Sequence, residues 1–415
     1  MRPLAALSSL LIVTLALTTS GCDTTDQVLG AAKRVTTSRT GQTVIDLAEG
    51  KDPAQIAKKR LDQYARDPEA LLRDLREAQK DFETILAALG VNVGKTWGKK
   101  EVKLPEQKKY VKYTQNYKSR AIVDFDAGKI LVETLDEQDP QRSLKNAVVT
   151  TILTPEDPRA VDLFSDKEII LTSDKVPYLF GLVLDQQNKP VRTPADAEPF
   201  AAYLLEKKSG TRVIDQDGTK KTAHYVTIAM VSNLPMKQAD KYRPLVHQFA
   251  QQYRISPSLV FAIIRTESNF NPYAVSSAPA YGLMQLVPTS GGREAYRKAK
   301  GQDVAPSRDY LFDPANNVEL GTAYLNVLMF NQLESVAHNV SREYCVIAAY
   351  NTGPSNVFRT FSRDRVAAVN QINSLQPAGV YDQLHQHLPY QETRTYLEKV
   401  TTFRKAFVSA AGPVD

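Results

Sequence analysis

The sequence predicts an α+β N-terminal domain, residues 51–235, followed by an all-α domain over 242–409. Three observations carry this reading. The chain has 415 residues, 42% hydrophobic and 24% charged, which suits two globular units. The apolar period is helical over about 53–92 and changes to two over 110–135. After "NLPMKQADKYRPL" (233–245), which holds two prolines, the rest reads as short helices.

In the first domain, Asp52-Pro53 and Asp67-Pro68 mark helix starts, because aspartate caps and proline fits the first turn. "YVKYTQNYKSRAIVDF" and "KILVETL", joined by Asp126-Ala127-Gly128, read as antiparallel strands. A helix starts near Pro140 and runs through "RSLKNAVVTTIL", and "AHYVTIAMV" (223–231) is a further strand. "DQDGTKK" (215–221) opens like a calcium loop but lacks the later acidic ligands, so it reads as a turn. The lone Trp97 either stacks on a sugar ring or is partly buried at a domain edge. In the second domain the helices expected are 243–253, 257–267, 314–333, 341–350, 355–361, 364–374, 379–386 and 390–409.

The N-terminus has an export layout. Arg2 precedes the 14-residue apolar run "LAALSSLLIVTLAL", too short to span a bilayer and of signal-peptide form. Ser20 and Gly21 then precede Cys22, which resembles a bacterial lipobox, although Thr19 stands where that pattern carries a larger aliphatic residue. Residues 1–21 therefore read as a signal peptide and 22–50 as a polar tether, with Cys22 as the lipidation site. An ordinary cleaved signal with an incidental cysteine is the alternative. Cys345, in the apolar stretch "YCVIAAY", reads as a buried core residue. The net charge of +6 is a modest bias, and no Lys/Arg block of the nucleic-acid-binding kind occurs.

Chemistry concentrates after residue 255. Ser256 and Pro257 start a helix, and Val260, Ile263 and Ile264 form its apolar stripe. Glu267 lies three and four residues beyond the last two, on the same face. A carboxyl there loses hydration of its charged form, which raises its pKa and lets it donate a proton near neutrality. On the helix alone, a glutamate whose side chain escapes to water is an equal reading.

The order of motifs decides between them. "TESNF" is followed by "GLMQL" (282–286), "AYNTG" (349–353) and "ETRTYLEKV" (392–400). Four motifs in that order across some 130 residues resemble the lytic transglycosylases of the goose-lysozyme-like soluble type. "PSRDYLFDPANNVELGTAYL" (306–325) and the combination of lipobox, α+β domain and helical domain are similar to a membrane-bound branch of that family. The resemblance implies a lysozyme-like catalytic domain that cuts peptidoglycan between N-acetylmuramic acid and N-acetylglucosamine. It leaves a 1,6-anhydromuramic end, in cell-wall remodelling and turnover. It also implies residue roles. Glu267 is the catalytic acid and base. Ser268 orients its carboxyl or meets the acetamido group, while Gln285 and the backbone of Met284 contact sugar. Tyr350 and Asn351 bind or polarise the acetamido group, and Tyr396 bonds to Glu267. Tyr281 and Phe270 either line the groove or belong to the core.

The partners expected are peptidoglycan strands, a membrane reached through the lipid anchor and other cell-wall enzymes, with no nucleic acid. The resemblance places the anchor in the outer membrane facing the periplasm, while Asp23 after the cysteine is an inner-membrane retention signal in some bacteria. No cofactor or metal is expected, since "HQH" (385–387) has no helical i, i+4 spacing and no glycine-rich phosphate loop occurs. Two rival functions remain. A muramidase on the same fold would need a second acid, with Asp303 and Asp309 the nearest downstream. A peptidoglycan-binding lipoprotein would need none. If Cys22 is the sole anchor, Cys22→Ala releases the protein as a soluble species. Membrane retention of that variant after a high-salt wash would show another attachment.

Overall fold

The computed structural model describes residues 68–171, 175–276 and 279–411. The signal peptide, Cys22 and the tether lie outside the described residues. Helix α1 (Pro68–Trp97) leads into a five-stranded antiparallel sheet made of β1 (Lys109–Thr114), β2 (Ser119–Asp124), β3 (Lys129–Thr134), β4 (Ser209–Gln216) and β5 (Thr219–Ala229). The strand order is β1-β2-β3-β5-β4. Helices α2 (Pro140–Ile152) and α3 (Pro194–Lys208) connect β3 to β4. Alternation along the strands sends Ala121, Val123, Ile130, Val132, Val226 and Ile228 to a core shared with α2 and α3. The opposite face packs Val111, Tyr113 and Ile214 against Leu89, Val93 and Trp97 of α1.

The sequence reading departs from the structure in three places here. The run 110–125 is two strands, because Gln115, Asn116 and Tyr117 all take positive φ (56°, 53° and 61°) and turn the chain without a glycine. Strand β4 escapes sequence reading, since "SGTRVIDQ" has no apolar alternation and buries only Ile214, although its exposure alternates along the strand. "DQDGTKK" is a turn as expected, that of the β4–β5 hairpin, with Asp217 and Gly218 between the paired Gln216 and Thr219. Trp97 is neither a sugar platform nor an edge residue. It is fully buried, its indole N–H donates to the Tyr117 carbonyl at 2.7 Å, and the Arg120 guanidinium lies 3.8 Å from its ring centroid. Arg120 also pairs with the fully buried Glu133 at 2.7 Å, and Arg212 and Glu101 complete a charge-balanced quartet.

The helical half holds α4 (Leu234–Tyr253), α5 (Pro257–Glu267), α6 (Gly291–Lys300), α7 (Arg308–Phe312), α8 (Pro314–Val327), α9 (Asn339–Thr352), α10 (Pro354–Phe361), α11 (Arg365–Ser374), α12 (Pro377–His387) and α13 (Gln391–Ala411). Helix α5 has the expected bounds, but the Ser256 hydroxyl pairs with that of Ser258 rather than capping the helix. Helix α8 gives way at Leu328–Gln332 to a wider π-helical turn. Helices α6 and α7 escape sequence reading, α7 because five residues carry too little periodicity.

The largest difference concerns the break between domains. Helix α4 runs unbroken through 234–253 with Pro244 inside it. Its Leu234 belongs to the N-terminal core and its residues from Ala239 onward to the helical core. Tyr273, from the helical half, is buried in the N-terminal core against Tyr110 and Tyr178, with ring centroids 4.9 and 5.8 Å away. The two halves are therefore interlocked. Tyr273→Ala should cost about 3–5 kcal/mol, as for other large aromatic truncations, and should split one cooperative unfolding transition into two. Calorimetry showing two transitions already in the unmodified protein would contradict the interlock.

Candidate active site

Glu267 is the last residue of α5, and α13 packs along that helix. Its Oε1 accepts a hydrogen bond from the buried Tyr396 hydroxyl at 2.7 Å. Although the residue is partly open to the surface, burial of the carboxyl raises its pKa from 4.5 to about 8. The Tyr396 hydroxyl and the Lys108 ammonium work against that rise, and Glu392 adds to it by like-charge repulsion. The helical stripe thus ends in a carboxyl that keeps its proton near neutral pH.

The "GLMQL" segment forms a tight loop braced from below by α7 and α8. Fully buried Asn317 accepts from the Met284 N–H at 2.8 Å and donates to the carbonyls of Tyr281 (2.8 Å) and Leu311 (2.7 Å). Gly282, at φ 75°, faces Asn317 so closely that any Cβ would collide with its amide. Gly321 of α8 likewise leaves room for the Met284 side chain. Tyr350, at the end of α9, donates to the Met284 carbonyl at 2.8 Å, and the Asn351 side-chain Oδ1 accepts from the Thr393 hydroxyl of α13 at 2.6 Å. The four motifs therefore converge, with Tyr350 and Asn351 partly exposed beside Glu267 and Tyr396.

Other expected residues sit differently. Ser268 is fully buried, and its hydroxyl donates to the carbonyls of Ile264 (3.1 Å) and Leu283 (2.7 Å), so it ties α5 to the loop and does not touch the Glu267 carboxyl. Met284 is fully buried, with its backbone N–H and C=O both engaged within the protein. Gln285 takes φ 47° and donates to the carbonyls of Ala274 (3.1 Å) and Gly282 (3.0 Å). Phe270 is a core residue stacked on Tyr242 at 6.3 Å, and Tyr281 is buried against Phe312. Asp303 is held in a two-pronged pair with Arg293 (both contacts 2.8 Å) and Asp309 pairs with Arg308, so neither serves Glu267.

Sequence reasoning missed Asn317, Thr393, Glu392 and Lys108. The first three lie within stretches the resemblance covers, and only Lys108 comes from the other domain, where no local pattern points to the site. Among the described residues, no group of three or more His, Cys, Asp or Glu side chains is placed to hold a metal ion.

Comparison with known proteins agrees with this geometry. The N-terminal domain of membrane-bound lytic murein transglycosylase C matches residues 67–241, and the transglycosylase SLT domain matches 244–373. Membrane-bound lytic murein transglycosylase C of Yersinia enterocolitica is 43% identical over 346 residues, 82% of this chain and 92% of that protein. The chain belongs to this transglycosylase family. The Klebsiella pneumoniae relative is 43% identical over 326 residues, 79% of this chain and 89% of its own. Among solved structures, lytic transglycosylase Slt of Pseudomonas aeruginosa aligns over 41% of this chain and 24% of its own, at 29% identity and a TM-score of 0.33. The two matched domains meet inside α4, the helix that both cores share. Membership in the family makes the protein a lytic murein transglycosylase acting on peptidoglycan.

The raised Glu267 pKa has a stability consequence. Between about 4.5 and 8 the folded protein holds a proton that the unfolded chain releases, so this group's contribution is full below 4.5 and is lost as pH rises toward 8. Glu267→Gln should therefore gain stability relative to the unmodified protein across that window, by at most about 1.4 kcal/mol per pH unit. Parallel melting curves at pH 5 and pH 8.5 check the sign. A stability difference that does not change with pH would mean the carboxyl is not so buried.

Proposed function

We propose that Glu267 cleaves the β-1,4 bond between N-acetylmuramic acid and N-acetylglucosamine alone, as proton donor and then as proton acceptor. The carrying observation is a carboxyl with its pKa raised to about 8 and a tyrosine as its hydrogen-bond partner, with no second carboxylate bonded to it among the described residues. Glu267 protonates the glycosidic oxygen as the bond to the muramic anomeric carbon breaks. The substrate's 2-acetamido group stabilises the cationic carbon, a route outside the two-carboxylate scheme. The ionised Glu267 then takes the proton of the same sugar's 6-hydroxyl, whose oxygen closes onto the anomeric carbon. The product ends in 1,6-anhydromuramic acid, and an intramolecular nucleophile outruns water through its high effective concentration.

In this reading Tyr396 fixes the carboxyl. Tyr350 and the amide nitrogen of Asn351 meet the acetamido group, while Gln285, Met284 and Ser268 act by shaping the loop that seats the sugar. Support comes from the buried bonds that hold each of these positions. Lipidation at Cys22 would hold the enzyme on a periplasmic membrane face, and no described helix is long and apolar enough to cross a membrane. The relatives' membrane-bound naming supports such an anchor. In this reading the two domains are 51–235 and 242–409.

A hydrolase is the second reading, and Glu392 is the observation that favours it, being an exposed acid close enough to raise the Glu267 pKa. Mass spectrometry separates the two. Anhydro products are expected, lighter by one water than hydrolytic ones. Glu267→Gln should lower turnover by at least roughly 10²–10⁴-fold, whereas Glu392→Gln should retain most of it. Activity should fall as pH rises through about 8, when Glu267 loses its proton. Tyr396→Phe removes a bond that favours the ionised form, so the alkaline limb should move to higher pH. Hydrated products, or collapse of activity in Glu392→Gln, would favour the hydrolase.

A further inference from the structure

A cleft of about 430 Å³ opens between the two halves, lined by Lys108, Asp126, Arg265, Asn269 and Phe403 among others. It has the size of a small-ligand site. Its walls belong to the chain before β1, the β2–β3 turn, α5 and α13, so neither half forms it alone. Lys108 links it to the catalytic carboxyl, since the same ammonium acts through space on Glu267. On α13, Phe403 follows Tyr396, the hydrogen-bond partner of Glu267, by seven residues, about 10 Å along the helix axis.

Arg265 is the unusual group in this cleft. Its guanidinium lies over the Phe403 ring, 4.0 Å from the centroid, and is about half withdrawn from water. Among the described residues, no hydrogen bond or ion pair reaches it, and burial works against its charge while Asp126 favours it only through space. A half-buried guanidinium held flat on an aromatic ring with its donors unspent is arranged for a carboxylate. Asp126 does not fill that role. Its carboxylate is engaged by Asn269 Nδ2 at 3.1 Å and by Lys108 Nζ at 3.5 Å.

We propose that this cleft binds the acidic peptide stem of peptidoglycan, with Arg265 and Lys108 receiving its carboxylates. The inference rests on the reading that the enzyme cuts at muramic acid, the sugar that bears the stem. An extended peptide rises roughly 3.3 Å per residue, so about three stem residues match the helix rise from Tyr396 to Phe403, the ring beneath Arg265. The cleft thereby makes the N-terminal half a specificity element, selecting muramic acid units that still carry their stems.

The test compares kcat/KM on glycan strands bearing stems with strands stripped of them by an amidase, using the full chain. The unmodified enzyme should prefer stem-bearing strands, and in Arg265→Gln the ratio of the two values should fall about tenfold or more. Lys108→Gln should lower the same ratio, and Arg265→Lys should restore part of it. Salt should weaken the preference. Equal losses on both substrates would assign Arg265 a structural role and overturn the proposal, as would an unmodified ratio near one. Calorimetric titration of the Glu267→Gln protein with a free stem tetrapeptide gives a readout independent of turnover. Binding should weaken when the peptide's carboxyls are amidated, and equal binding of both peptides would also overturn the site. Failure of the unmodified enzyme to cut either substrate would sink the catalytic reading instead.

Discussion

The residues after Glu267 turn back through two consecutive left-handed positions, Asn269 at φ 48° and Phe270 at φ 60°. Neither is glycine, and such a conformation costs of order 1–3 kcal/mol per residue unless its surroundings enforce it. The enforcement comes largely from the other half of the molecule. Asn269 Nδ2 donates to the Phe125 carbonyl at 2.8 Å, and Asn271 Nδ2 donates to that of Gln107 at 3.0 Å. The Tyr178 hydroxyl donates to the Phe270 carbonyl at 2.8 Å, and Gln238 of the shared helix α4 to that of Asn269 at 3.2 Å. The turn ends α5 abruptly, so that Glu267 sits at the rim of the helical core rather than within a continuing helix.

That arrangement ties the two halves together at the catalytic turn. A helical half holding every candidate catalytic group invites the view that residues from about 240 onward would suffice. Cutting there would strip the acceptors from Asn269 and Asn271, expose Tyr273, and remove Lys108 from the field around the carboxyl. Water would replace those acceptors, and the bonds that hold Asn269 and Phe270 in left-handed backbone would be lost. The N-terminal sheet therefore acts at the catalytic turn as well as beside it.

Much of this was legible in the sequence where local physics decides the outcome. Helix α5, with proline at its first position and an apolar stripe ending in Glu267, reads directly, as does α2 with its Asp139 cap, which accepts from the Arg142 N–H at 3.1 Å. The three-residue turn at Gln115–Tyr117, strand β4 and helix α7 do not, because their conformations come from tertiary contacts rather than from period or turn chemistry. Motif order pointed to Tyr350, Asn351 and Tyr396, gave Ser268 a role beside the carboxyl where its hydroxyl instead meets the Leu283 carbonyl, and left Phe270 open between groove and core, where it is core. A residue beside a catalytic group in sequence points elsewhere once the helix has ended. Trp97 failed for a different reason. Charged neighbours suggested exposure, yet Arg120 lies over its ring and is itself paired with a buried glutamate from the next strand.

One property of the carboxyl suits both halves of the proposed reaction. A glutamate at its ordinary pKa would be ionised at neutral pH and could not protonate a leaving oxygen. Once ionised it would also be a weak base toward a sugar hydroxyl. Withdrawal from water changes both at once, because the penalty on the charged form makes the protonated acid abundant and its conjugate base strong. Tyr396 and Lys108 set the limit, holding the pKa close to neutrality rather than letting burial carry it beyond reach of ionisation. A two-carboxylate site would divide these duties between acids on either side of the scissile bond. In the proposed reaction the nucleophile arrives with the substrate, and the 281–286 loop takes the positioning role that a second acid would have.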